Sequence, residues 1–140
     1  MINSLSRWIL LFAAFLLLLG AIMHTSAFPR TQSAVAGASN LAPFFGQSLK
    51  ALWLIDSVTL LTLAGIFSLA ALSPKSISGL VVALLALVPV GTAVLLYVFL
   101  GRFAPAHLLL LAGLLALTAG LLRTLSPNQA LQPTAGRSDE

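Results

Sequence analysis

The sequence predicts an all-α protein: an integral membrane antiparallel four-helix bundle over residues 1–124, with a disordered polar tail over 125–140. Three observations carry this expectation. The chain has 140 residues, 59% hydrophobic and only 7% charged, with mean hydropathy +1.07; a soluble domain carries about 25% charged residues and a chain this short could not hide so much apolar surface from water. Four apolar runs each approach the roughly 20 helical residues that cross about 30 Å of hydrocarbon. None of them alternates with period 2, which leaves helices rather than a β-barrel as the way to satisfy the backbone in lipid.

The first helix is expected over about 8–28, opening at Trp8 behind Arg7. A second reading of this run is a secretory signal with a small-residue cleavage site at Thr25-Ser-Ala27; the length of the run and the three helices behind it favour an uncleaved helix. A connection over 29–48 follows, in which Asn40-Leu-Ala-Pro43 reads as a helix start with Asn40 as cap and proline in the first turn. The second helix is expected over 49–72, the third over 77–100 and the fourth over 103–122. Ser73-Pro-Lys-Ser76 and Gly101-Arg102 with Pro105 read as tight turns, and short turns make antiparallel neighbours. The prolines and polar residues after Leu125 favour disorder.

Composition also excludes several functions. There is no cysteine, so no disulfide, thiolate metal site or cysteine nucleophile exists. The seven Lys and Arg residues are scattered, which gives no nucleic-acid footprint. They sit near the ends of apolar runs, where cations anchor helices against headgroups. No phosphate-binding glycine loop or nucleophile motif is present. The expectation is therefore a protein that is not an enzyme and carries no cofactor. Its partners would be the lipid bilayer and a second copy or another membrane protein. With the N-terminus inside, Arg7, Lys75, Arg123 and Arg137 face Arg30, Lys50 and Arg102 across the membrane. That small excess favours cytoplasmic termini.

Asp56 is the only acidic residue in the first 138 positions and lies inside the second apolar run. An intramembrane carboxylate is costly unless paired, protonated or wet. An up-down arrangement gathers His24, Asp56, Arg102 and His107 at one end, flanked by Arg30 and Lys50, with Asp56 roughly 8–10 Å below the helix start. Three readings are open. Asp56 pairs with Arg102 or Lys50, or accepts from Ser57 and Thr59, as structural polar glue. Alternatively Asp56 and a histidine relay protons. As a third possibility, His24, Asp56 and His107 ligate a divalent metal, although no local spacing supports a metal site. On a helical wheel Asp56 shares a face with Thr59, so the pair would make a short polar path if inward; Thr59 bonding its own helix carbonyl is the simpler reading. Trp8 and Trp53 read as interfacial anchors.

Packing signals complete the picture. Ala112-x-x-x-Ala116-x-x-x-Gly120 is a small-residue stripe that marks a helix seam, within the chain or between protomers. Pro89-Val-Gly91 predicts a kink in the third helix.

The tail segment Asn128-Gln-Ala-Leu-Gln-Pro-Thr-Ala-Gly136 resembles ends that read through into recombination sites of bacterial integron gene cassettes. That resemblance implies a bacterial inner-membrane protein. The remaining chain is similar to small four-helix bacterial membrane proteins of unassigned function. It also matches the small multidrug-resistance transporters in length and helix count, but those keep an essential glutamate in helix one, where this chain has no acid. The leading expectation is a structural, accessory or interaction protein. The alternative is an oligomeric transporter that uses Asp56 for proton or ion coupling.

Overall fold

The structure is a computed structural model and describes residues 2–125. The expected polar tail and its Asn128–Gly136 segment lie outside the described residues, apart from Leu125. Five helices follow one another: α1 (Ile2–Ser26), α2 (Phe28–Gly37), α3 (Pro43–Leu72), α4 (Gly79–Leu100) and α5 (Ala104–Thr124). No strand occurs among the described residues. Four helical stretches are long and apolar enough to cross a membrane: 4–37, Pro43–Leu72, Gly79–Leu100 and Ala104–Thr124.

The expected connection over 29–48 is a correction. Most of it is helical, as α2 and the first turns of α3. Pro29 has no N–H to continue the α1 ladder, and it takes the first turn of α2 instead, where that loss costs nothing. Asn40 is not the cap of α3. Ala42 holds that position with no side-chain cap, and Pro43 opens the helix. α3 therefore has 30 residues, about 45 Å at 1.5 Å per residue, longer than the hydrocarbon core. Val35 of α2 lies against the backbone of Gly46, where an added Cβ would sit 3.0 Å from its Cγ1. Phe44 and Phe45 stay exposed and meet edge to face.

The α3–α4 turn closes with Ser76 N–H and Oγ both donating to the Ser73 carbonyl. Ser78 caps α4 by accepting from the Val81 N–H at 3.3 Å, so α4 starts at Gly79 rather than at Ile77. At the next connection Gly101 adopts φ +71°, a region open to glycine and strained for other residues.

Each long helix buries one stripe spaced three and four residues apart, as packing on one face requires. α1 turns Ser6, Leu10, Ala13, Leu17 and Ala21 inward. α3 turns Ser57, Leu60, Ala64, Phe67 and Ala71 inward. α5 contributes Leu109, Ala112, Ala116 and Gly120, and α4 contributes Val82, Ala86, Pro89 and Ala93. Lipid supplies no hydrophobic drive between helices, so small residues that admit close approach hold such seams.

The contacts run α3–α1–α5–α4, while α3 and α4 touch only sparingly. The expectation that the short turn makes α3 and α4 packed neighbours is corrected in this respect. A turn ties two helix ends but supplies no interface. The interface of α4 lies on α5, where the glycines are. A Cβ at Gly120 would sit 2.7 Å from Ala83 N, and one at Gly79 would sit 2.6 Å from Gly120 O. A Cβ at Gly113 would come 3.0 Å from Val90 N. The small-residue seam is thus within the chain. Gly91 is not part of it, having nothing within 4 Å of its would-be Cβ. α4 runs continuously through Pro89, which is buried. Neighbouring contacts fix antiparallel directions: His24 meets Ser57 while Arg7 meets Ala71, and Gly20 lies beside Leu108.

Candidate functional site

The inward stripe of α1 continues past Ala21 to His24, and that of α3 begins at Trp53 and Ser57. Because the two helices run antiparallel, these polar ends of two apolar stripes meet. The His24 ring stacks on Trp53 with centroids 4.1 Å apart and planes 10° from parallel. Its Nδ1 shares a 3.0 Å hydrogen bond with Ser57 Oγ. Its Nε2 lies 3.4 Å from Asp56 Oδ2. Trp53 Nε1 donates to the His24 carbonyl at 2.9 Å, which satisfies an acceptor in the last turn of α1.

The two adjacent residues Asp56 and Ser57 therefore reach two different nitrogens of one imidazole. When Nε2 carries the proton, Nδ1 accepts from the Ser57 hydroxyl. When both nitrogens are protonated, the imidazolium donates on both sides, and Ser57 Oγ lies 3.4 Å from the Trp53 carbonyl that can take its proton. The Asp56 side chain is 37% exposed and that of His24 24%, whereas Ser57 is only 5% exposed. The carboxylate reaches the surface while the hydroxyl is enclosed. The arrangement can fasten α1 to α3, and it can hold a proton between imidazole and carboxylate.

Of the residues expected at this end, the structure brings together only His24 and Asp56. The basic partner of Asp56 is His24, not Arg102 or Lys50. Among the described residues His24–Asp56 is the one ion pair within 4.0 Å. Arg102 is exposed in the bend after Gly101. His107 is exposed as well, bonding through Nδ1 to the Phe103 carbonyl of its own helix turn and setting its ring edge-on to Tyr97. No group of three His, Asp or Glu side chains among the described residues is arranged to share an ion. Thr59 does not join Asp56 in an inward path; it is half exposed and donates to the Ile55 carbonyl of its own helix.

Sequence reasoning missed how Trp53 and Ser57 serve the site: Ser57 was expected to donate to Asp56 but meets His24, and Trp53 stacks on that ring. Their signal was the spacing Trp53, Ser57, Leu60, Ala64, Phe67, which extends the apolar stripe of α3 outward. Trp53 packs on His24 and donates to its carbonyl, while Trp8 is 70% exposed. A groove of about 450 Å³ on the α1–α3 face is lined by apolar residues including Phe15 and Leu61, with Gly65 and Ser68. A second groove lies between α2 and the start of α3, lined by Arg30, Val35 and Leu49. Neither includes His24, Asp56 or His107.

No protein-family model matches the chain, and no curated protein or solved structure is significantly similar to it.

Proposed function

We propose that this chain is a non-enzymatic multi-pass membrane protein of the bacterial inner membrane, with a structural, accessory or interaction role and both termini cytoplasmic. One observation carries the reading. The His24 imidazole is engaged by its own chain on a ring face and at both nitrogens, by Trp53, Ser57 and Asp56. Such a self-satisfied group fastens helices rather than receiving a substrate. The only carboxylate of the described residues is spent on that fastening, which offsets part of the cost of holding it at the membrane boundary. The tail resemblance and the four-against-three count of cations support the bacterial membrane and the orientation.

A second reading follows from the partial exposure of Asp56. A carboxylate that touches both water and a neighbouring imidazole is the arrangement a proton-coupled transporter needs. Reconstituted vesicles with an internal pH dye separate the two. Under the fastening role, Asp56→Asn inserts normally, lowers the resistance of the folded chain to denaturing detergent and leaves proton flux at the level of protein-free vesicles. A wild-type flux above that level, abolished by Asp56→Asn, would establish the transporter instead.

A further inference from the structure

The end of the molecule opposite His24 carries three cations and, among the described residues, no acid. Arg7 in the first turns of α1 donates through Nε to the Ala71 carbonyl at 3.0 Å. Arg123 in the last turn of α5 donates through Nη2 to the Pro74 carbonyl at 2.6 Å. Lys75 stands next to Pro74, exposed, with no hydrogen bond or ion pair among the described residues. Two guanidinium groups from opposite ends of the chain thus bracket one short turn, at residues three apart.

Among the described residues the positive charge at this turn is uncompensated. Asp56, the only described carboxylate, pairs with His24 at the other end. Arg123 Nη1 is shielded from solvent and has no hydrogen-bond partner, where buried donors and buried charges ordinarily have one. Arg7 uses only Nε, so both of its terminal nitrogens remain available, and that fork matches two oxygens of a phosphate. The α4 N-terminus adds its own positive field. It lies against Arg123, since a Cβ at Gly79 would sit 2.9 Å from Arg123 Cβ and from Thr124 N. Arg7 and Arg123 stand near the ends of helices long and apolar enough to cross a membrane, and Lys75 stands in the turn between two such helices, where cations meet lipid headgroups.

We propose that Arg7, Lys75 and Arg123 form a binding site for the phosphate headgroup of an anionic phospholipid at the α3–α4 turn. The headgroup takes the exposed fork of Arg7 and the Lys75 ammonium, and neutralises the half-buried charge of Arg123. The chemistry is that of basic pockets between membrane helices that hold anionic headgroups.

Native mass spectrometry of the full chain in detergent tests this. The chain is offered phosphatidylglycerol and phosphatidylcholine with the same acyl chains in equal amounts. The wild type retains phosphatidylglycerol in preference. Lys75→Gln lowers the retained ratio about fivefold, and Arg7→Gln with Arg123→Gln lowers it on the order of twentyfold, since each cation at an anionic surface contributes about a fivefold affinity. Arg30→Gln with Arg102→Gln removes equal charge at the opposite end and leaves the ratio unchanged. Because Lys75 bonds to nothing in the described chain, its substitution keeps the test decisive if the double arginine variant fails to fold.

Three results would overturn the proposal. An equal loss in the Arg30/Arg102 variant would mean diffuse attraction. Release of the lipid by excess inorganic phosphate with no loss of lipid preference in Lys75→Gln would mean a site for the free ion. A several-fold rise in lipid retention on Asp139→Asn with Glu140→Gln would mean that tail carboxylates fill the site.

Discussion

At the scale of single residues, the contacts of His24 decide what the one acid of the described residues does. Interhelical side-chain hydrogen bonds in membranes are worth about 0.6 kcal/mol on average and up to about 1.7 kcal/mol. A double-mutant cycle of His24→Ala and Asp56→Asn, read by detergent-induced unfolding, is expected to give a coupling within that range. A coupling indistinguishable from zero would show that the two groups are neighbours without being partners. Trp53→Phe keeps the stack on His24 and deletes the N–H that reaches the His24 carbonyl; it is expected to cost about 1 kcal/mol, the typical net worth of one hydrogen bond. His24 was legible in the sequence from its place at the end of the first apolar run; the structure shows that it also continues the spacing of Leu10, Ala13, Leu17 and Ala21. His107 and Arg102 misled for a definable reason. Chain order places residues at one end of a bundle and fixes their depth, but says nothing of their azimuth. Both lie off the buried stripe that begins with Ala106 and Leu109, and both are exposed.

At the scale of elements, glycines separate the seams from the free faces. Gly113→Ala would place a methyl group 2.6 Å from Val90 Cγ2 and 3.0 Å from Val90 N. Overpacking of this kind costs about 1–3 kcal/mol. Gly91→Ala meets open space, and replacing a mid-helix glycine by alanine is worth roughly 0.5–1 kcal/mol in the opposite direction. Opposite signs for the two substitutions, measured by the same unfolding assay, are the expected result; destabilisation by both would mean that the Gly91 face of α4 is packed as well. The helix ends near Leu72 and Leu100 were readable from proline, serine and glycine signals. The start of α3 was half legible: Pro43 read as the first turn of a helix and opens α3, but the cap is Ala42 rather than Asn40, and Phe44 to Leu49 mixes apolar and polar residues too evenly to join the span expected from 49.

At the scale of the whole molecule, the contact order α3–α1–α5–α4 is a property that no local signal carries. Four antiparallel helices joined by two short turns suggested a closed bundle in which sequence neighbours pack. The close fit of Gly79, Ala83 and Val90 to Gly113 and Gly120 commits α4 to α5, and the large side chain of Phe67, fully buried, belongs to the core on the side of α1 and α3. Since the chain has no native cysteine, introduced pairs report this arrangement directly. Gly20→Cys with Leu108→Cys is expected to cross-link within one chain through a short bifunctional reagent, because an added Cβ at Gly20 lies 3.3 Å from Leu108 Cδ2. Val58→Cys with Val94→Cys, on exposed parts of α3 and α4, is expected to stay unlinked. Efficient linkage of the second pair would reverse the order of helices given above.

The central place of α1 has a consequence for how the chain matures. α1 leads the described residues, yet it packs against both α3 and α5, the last helix among them. As the chain is synthesised, His24 can find Asp56 and Ser57 once α3 emerges, but the other side of α1 stays bare until α5 is made. α4 in turn waits for the glycines of α5. A chain stopped before residue 104 would therefore present two unfinished surfaces to the lipid at once, and cellular quality control would be expected to recognise it by both.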